Sequence, residues 1–144
     1  MIVAWLVLQN IDSLKPAGSR NFGQLIEPPR PLTNFVLQDA TGEKFDRDSV
    51  QGHWSVFYFG QSDCDAICQE TVSKIHQARL AQGKEMRRLR LYYITSDAAS
   101  LNEGTQAFIQ PFWGISVVSG EVANVNGLRE QFAATGSLPD EAGR

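Results

Sequence analysis

A short and almost wholly apolar segment, followed by a glycine and polar residues, constrains the fold of this chain more than any other feature. Residues 54–59 (WSVFYF) are mostly β-branched or aromatic and are too few for a stable helix. Their near-continuous apolar character predicts a strand buried on both faces, in the centre of a sheet covered by helices. Residues 60–63 (GQSD) interrupt the pattern and predict a turn at the end of this strand.

A helix is predicted directly after this turn, over residues 64–82. Residues spaced three or four apart give it one broad apolar face: Ile67, Thr71, Val72, Ile75, Ala78 and Ala81. Ser62 or Asp63 is the expected N-cap, and Gly83 ends the helix. Residues 91–95 (LYYIT) predict a second strand, so that strand, helix and strand form a βαβ unit with a right-handed crossover.

Weaker patterns predict further elements on both sides of the βαβ unit. They are a β-hairpin at residues 35–38 and 43–45 with its turn at Gly42, a helix at residues 101–108 capped by Ser100 or Asn102, a short edge-like strand at residues 115–118 and a last helix at residues 125–132. The alternation of strands and helices predicts a single α/β domain over residues 35–144.

The first 34 residues differ in character from the rest of the chain. Residues 1–12 begin with eight apolar residues, and residues 13–34 contain prolines and glycines that favour an extended linker. A helix needs about 20 apolar residues to cross a bilayer, so the first segment cannot span one by itself. Two interpretations stay open for it: an element that packs on the domain, and the remnant of a membrane anchor, which we favour.

The overall composition excludes several classes of function. Thirteen Lys and Arg residues against 16 Asp and Glu residues give a formal net charge of −3, so nucleic acid is not an expected partner. The chain has two cysteines and two histidines, and a closed four-ligand zinc site would need all four. We therefore look for the chemistry of this chain at its cysteines.

Cys64 and Cys68 lie four residues apart at the predicted junction of strand and helix. Residues at this spacing share one face of a helix, so the two sulfurs can approach each other. They can then close a disulfide or bind a soft metal such as Cu(I). The helix N-terminus favours a thiolate at Cys64, whereas the charges of Asp63 and Asp65 oppose one. Two inert core cysteines are the alternative, which the position at the end of a strand disfavours.

These segments resemble the thioredoxin-like Sco/SenC family, whose members assist assembly of the copper site of cytochrome c oxidase. The resemblance is carried by residues 52–60 (GHWSVFYFG), 64–68 (CDAIC) and Thr71, and it extends over residues 24–132 through the segments 27–31 (EPPRP), 37–42 (LQDATG), 93–97 (YITSD) and 115–120 (ISVVSG). Residues 27–31 and 37–42 are most similar to small membrane-anchored bacterial relatives.

The resemblance implies a thioredoxin-like βαβ core and a membrane-anchored protein at the periplasmic face of the bacterial inner membrane. It implies Cu(I) binding or thiol exchange at Cys64 and Cys68, with the copper-site subunit of cytochrome c oxidase or other assembly factors as partners. The family's third copper ligand is a histidine far downstream, but no histidine follows His76 here. His76 lies about 12 Å along the helix from Cys68, and His53 lies at the other end of the first strand. No third ligand is therefore identified.

The leading hypothesis is a thioredoxin-like assembly factor for a respiratory cytochrome c oxidase that acts by thiol–disulfide exchange, by copper handling, or by both. Cys64 would be the attacking thiolate and Cys68 the resolving partner. Whether the chain is an enzyme, a thiol–disulfide oxidoreductase, stays open. Two alternatives are a copper-binding metallochaperone without turnover and a degenerate thioredoxin-like interaction module.

Compared with the family's layout, this chain stops before a C-terminal hairpin and a last helix, and Gln69 stands where the family commonly has a proline. A sheet that lacks these elements would leave a strand edge uncovered. Uncovered strand edges pair with other chains. We therefore expect a homodimer or a marginally stable domain.

Overall fold

The computed structural model describes residues 26–96 and 101–132. Within these residues the elements are β1 (Val36–Asp39), β2 (Lys44–Asp46), a 3-10 helix (Arg47–Val50), β3 (Trp54–Phe59), α1 (Ala66–Leu80), a second 3-10 helix (Gly83–Arg88), β4 (Leu89–Thr95), α2 (Glu103–Ile109), β5 (Ile115–Ser119) and α3 (Val122–Gln131). Two compact units divide the chain, Met1–Arg30 and Pro31–Arg144, and all of these elements belong to the second. No helix in the described part of the chain is long and apolar enough to cross a bilayer.

The five strands form one mixed sheet in the order β2-β1-β5-β4-β3. β4 runs parallel to both β3 and β5, whereas β1 pairs antiparallel with β2 and β5. β1 and β2 are the predicted hairpin, and Gly42 has a φ of +84° in its turn, a conformation that glycine adopts without strain. The predicted α/β class, the βαβ unit and the N-terminal hairpin are therefore confirmed.

The positions of two strands in the sheet differ from the sequence prediction. β3 lies at an edge of the described sheet instead of its centre, all of its residues are partly exposed, and Trp54 is 72% exposed. β5, predicted as edge-like, lies between β1 and β4. The apolar pattern of a strand indicates how much of its two faces is covered. Which strands lie next to it depends on pairing between distant segments of the chain. Here the N-terminal hairpin pairs with β5 and leaves β3 outermost.

Several predictions fall outside the described residues. Those on residues 1–12, on most of the linker at 13–34, on Ser100 as a helix cap, and on elements after residue 132 are among them. Asn102, the other predicted cap of α2, is confirmed, since its side chain accepts a hydrogen bond from the Thr105 backbone N–H at 2.7 Å. The expected homodimer stays a prediction.

β4 separates two layers of buried side chains. Tyr92 and Ile94 point into a cluster that includes residues of β1 and α3, whereas Tyr93 points into a second cluster that contains both cysteines and residues of α1 and α2. β4 thus has the burial on both faces that the sequence predicts for β3. The cysteines lie in the layer that α1 and α2 cover.

The beginning of α1 and its buried face also differ from the prediction. The N-cap is Asp65, whose carboxylate accepts a hydrogen bond from the Cys68 backbone N–H at 2.9 Å, so the helix starts later than Ser62 or Asp63 as a cap would require. Ile67, expected on the buried face, is 65% exposed. The residues of α1 that are buried are Cys68, Val72, His76 and Arg79. A stride of three and four residues from Cys68 therefore sets the inward face.

Arg79 joins α1 to the ends of two strands. Its guanidinium lies 4.3 Å from the centre of the Trp113 ring and donates hydrogen bonds to the carbonyl oxygens of Leu89 (2.7 Å) and Trp113 (2.9 Å). A buried cation is costly unless its N–H groups have acceptors, and these two carbonyls supply them. The inward face of α1 therefore tolerates a buried arginine. The same two hydrogen bonds connect α1 to the first residue of β4 and to the loop before β5.

The stability of the fold is expected to fall below neutral pH because of His76. Its ring is buried edge-on against Phe112, and its Nδ1 has no hydrogen-bond partner among the described residues. Burial, and then the charge of Arg79, lower the pKa of His76 below its ordinary 6.5. The unfolded chain therefore binds a proton more readily, so stability is complete above about pH 6.5 and is lost as the pH falls through the folded pKa.

We expect the thermal midpoint of the wild type to drop between about pH 7.5 and about pH 5.5, and to drop less in His76→Phe. His53→Asn is the matched variant, because burial and the charge of Arg90 also lower the pKa of His53. Each variant should remove part of the pH dependence. An unchanged pH dependence in His76→Phe would contradict this assignment.

Candidate functional site

Cys64 and Cys68 are joined by a disulfide at the junction of β3 and α1, with their Cα atoms 5.2 Å apart. Both side chains are buried, with 3% and 7% exposed. The expected approach of the two sulfurs is therefore observed. Cys64 precedes the N-cap Asp65, so it lies outside the helix, and it is Cys68 that occupies the first helical turn. The favourable end of the helix dipole acts mainly on Cys68 and not, as the sequence suggests, on Cys64.

The backbone of Cys64 is held from two sides. Its N–H donates to the Thr105 hydroxyl at 2.9 Å, and its carbonyl accepts from the side-chain amide of Gln69 at 2.9 Å. Thr105 is 2% exposed, so this contact is shielded from water. Gln69, at the position where the family commonly has a proline, thus ties α1 back to Cys64.

The start of α2 holds the turn before the cysteines. The backbone N–H of Asn102 donates to the Ser62 carbonyl at 3.2 Å, and its side-chain amide donates to the Asp63 carboxylate at 2.8 Å. The sequence predicts Asn102 only as a helix cap. It also fixes the loop that carries Cys64, which no local sequence pattern indicates.

Tyr93, on β4, lies beneath the disulfide and is not among the predicted site residues. It is 1% exposed, its hydroxyl donates to the Gln61 carbonyl at 2.6 Å, and the Cys68 sulfur lies 3.7 Å from the same hydroxyl. Burial, and then the nearby Tyr58 and the carboxylates of Asp63 and Asp65, raise the pKa of Tyr93 to about 12. The hydroxyl therefore keeps its proton and acts as a donor.

A cavity of about 120 Å³ opens beside the disulfide. Its lining includes Cys68 together with Tyr58, Asp63, Asp65 and the exposed Ile67, but not Cys64. A larger cavity of about 540 Å³ lies between the turn that joins β1 to β2 and α2. Its lining contains no cysteine or histidine, so we place the chemistry at the smaller one. Of the two cysteines, Cys68 is the one that lines this cavity.

Neither histidine lies with the cysteines. His76 is more than two helical turns beyond Cys68, and His53 precedes β3, where its Nε2 is 2.9 Å from the Tyr92 hydroxyl. In the part of the chain that the structure describes, no group of three or more Cys, His, Asp or Glu residues is placed to hold a metal ion. The two sulfurs alone are the soft ligands at this site.

A parallel βαβ unit with a cysteine pair at its first strand-to-helix turn, extended by an antiparallel hairpin, defines a thioredoxin-like domain. The thioredoxin domain of a thiol–disulfide oxidoreductase from Bacteroides vulgatus shares this fold, with a TM-score of 0.52, 13% identity, and coverage of 76% of this chain and 75% of that one.

Within this class, a family model described as SCO1/SenC matches residues 24–143, and the chain belongs to that family. Yeast Sco1 with copper bound superposes with a TM-score of 0.59 and 24% identity, covering 73% of this chain and 60% of that one. BsSco, a member of the Sco family of cytochrome c oxidase assembly proteins in which a disulfide switch was identified, has a TM-score of 0.50 and 18% identity, covering 77% and 67%.

Two curated relatives match shorter segments. The SCO2-like protein RP587 of Rickettsia prowazekii is 44% identical over 41 residues, which cover 28% of this chain and 20% of that protein. A protein of Stutzerimonas stutzeri described as copper-binding is 29% identical over 76 residues, which cover 52% and 37%. The match therefore spans well under half the length of either relative.

Proposed function

We propose that this domain exchanges its disulfide with a cysteine pair of a partner protein during assembly of a respiratory cytochrome c oxidase. The observation that carries the proposal is the Cys64–Cys68 disulfide at the turn between β3 and α1, beside a cavity that reaches Cys68. Membership of the SCO1/SenC family, and a solved relative described as an oxidase assembly protein with a disulfide switch, support the choice of partner.

The exchange needs only the two sulfurs of this chain and two of the partner. A partner thiolate attacks the Cys68 sulfur in the cavity, the Cys64–Cys68 bond breaks, and Cys64 leaves as a thiolate. The second partner thiolate attacks the mixed disulfide and displaces Cys68. The partner's two thiols become a disulfide and this chain's disulfide becomes two thiols, so two electrons and two protons pass to this chain. The reverse sequence reduces a partner disulfide.

Once reduced, the same pair offers two thiolates to Cu(I), for which sulfur ligands are well suited. Copper would then be cargo that the domain receives and passes on. Relatives solved with copper bound and a relative described as copper-binding support this second role. We place exchange first because two sulfurs suffice for it and no third ligand lies beside them in the described residues.

We also propose that the protein acts at the periplasmic face of the inner membrane, where thiols can be oxidised. The assignment of residues 1–12 as the remnant of a membrane anchor is part of this proposal. Its support is the apolar character of the first eight residues.

Redox titration of the full chain in glutathione buffers, beside an anaerobic titration of the reduced protein with Cu(I), tests the order of these roles. We expect a reversible two-electron transition between disulfide and dithiol, and weaker copper retention than a three-ligand site would give. Failure of the pair to form a disulfide, together with tight one-to-one copper retention that Cys64→Ser abolishes, would favour the metallochaperone. Full support of oxidase assembly by a Cys64→Ser/Cys68→Ser variant would favour a degenerate interaction module.

A further inference from the structure

The ring of Tyr93 occupies a space that Gly60 leaves open. A Cβ atom at position 60 would lie 2.2 Å from the Tyr93 Cζ and 2.3 Å from its hydroxyl oxygen. The glycine therefore lets the phenol pass directly under the turn that leads from β3 to the cysteines. On its other side, the ring packs against Tyr58, with the two ring centres 5.5 Å apart. The hydroxyl is thus held at one place between the turn and α1.

Two acceptors compete for the single proton of this hydroxyl. The Gln61 carbonyl receives it at 2.6 Å, and the Cys68 sulfur lies at 3.7 Å. A sulfur that is part of a disulfide is a weak acceptor, so the proton points to the carbonyl in the oxidised protein. Reduction breaks the S–S bond and gives the Cys68 sulfur an additional electron pair. Hydrogen bonds to an acceptor that carries negative charge are roughly twice as strong as neutral ones.

We propose that Tyr93 is a positioning residue for Cys68. Its hydroxyl donates to the Gln61 carbonyl in the oxidised protein and to the Cys68 sulfur in the reduced protein. This inference rests on the proposed exchange at Cys64 and Cys68. The movement required is small, because the hydroxyl already lies within 4 Å of both acceptors. Tyr93 thereby stabilises the reduced state relative to the disulfide.

The same change of hydrogen-bond partner alters the cavity wall when the redox state changes. Gln61 lines the cavity beside Cys68, and its carbonyl loses the Tyr93 hydrogen bond when the pair is reduced. The turn between β3 and α1 is then freer to adapt to a partner. The oxidised and reduced domains consequently differ at the cavity through which the partner's sulfur enters.

Tyr93→Phe tests this role, because it removes the hydroxyl and keeps the ring that fills the space at Gly60. We expect the equilibrium with glutathione to shift by about tenfold toward the disulfide, which corresponds to a potential about 30 mV more negative. Tyr92→Phe is the matched control: it removes a hydroxyl from the adjacent residue of β4, whose side chain lies in the other buried cluster, and should leave the potential unchanged. Equal thermal midpoints of the reduced variants would show that the fold is retained.

The outcomes separate this inference from the function on which it rests. A wild-type chain that cycles normally, with the same potential in Tyr93→Phe, overturns the role of Tyr93 alone. An equal shift in Tyr92→Phe also overturns it, because the effect would then follow the loss of any buried hydroxyl on β4 and not the contact with Cys68. A wild-type chain that forms no disulfide overturns the exchange proposal, and this inference with it.

Discussion

Cys64→Ser is expected to leave a single reactive sulfur, and Cys68→Ser a nearly inert one. Both variants lose the disulfide, and two-electron exchange should be abolished in each. They differ in access, because Cys68 lines the cavity and is 7% exposed, whereas Cys64 does not line it, is 3% exposed and has its backbone N–H bonded to Thr105. Since exchange rates depend on access to the attacked or attacking sulfur, we expect the remaining Cys68 to react on the order of tenfold faster or more.

The measurement is the rate at which each reduced variant releases a coloured thiolate from an aromatic disulfide reagent. The two variants lose the same cross-link, so the comparison isolates the environment of the remaining sulfur. In denaturant the two rates should become similar, and Cys64→Ser/Cys68→Ser gives the background. A faster reaction of Cys64 in the folded protein would support the order of attack that the sequence suggests, with Cys64 first.

Local patterns account for most of the elements but not for their arrangement in the sheet. The Gly42 hairpin, the strand Trp54–Phe59 and the helix after it follow from turn residues and from apolar spacing, and all three are observed. The edge position of β3 could not be inferred in this way. It depends on β1 pairing with β5, about 80 residues further along the chain.

In the candidate site, too, the local features could be predicted from the sequence and the contacts between distant residues could not. The cysteine pair is visible in the sequence because its spacing and its place after a strand are local features. Thr105 and Tyr93 reach Cys64 and Cys68 from 41 and 25 residues away, and nothing in their own segments distinguishes them. Tyr93 could have been suspected, since parallel pairing of the two predicted strands places it beside Tyr58, two residues before the turn.

Gly60→Ala is expected to destabilise the domain strongly. The added Cβ would overlap the Tyr93 ring at 2.2 Å, and the ring has nowhere to move, because Tyr58 packs against it and Gln61 anchors its hydroxyl. Overpacking of this kind costs roughly 3 kcal/mol when the neighbours cannot adjust. Urea unfolding should report this loss, and the thermal midpoint should fall by about 10 °C.

Two comparisons show whether the Tyr93 ring is the cause. A Cβ atom added to Gly127, in the middle of α3, would meet nothing within 4 Å, so Gly127→Ala should stabilise the domain by up to roughly 1 kcal/mol, since alanine favours a helix over glycine. In a Tyr93→Ala background the overlap disappears, and Gly60→Ala should then cost little. The coupling between the two positions would be close to the whole cost of the single change. An equal cost in both backgrounds would mean that a contact other than the one with the Tyr93 ring makes glycine necessary at position 60.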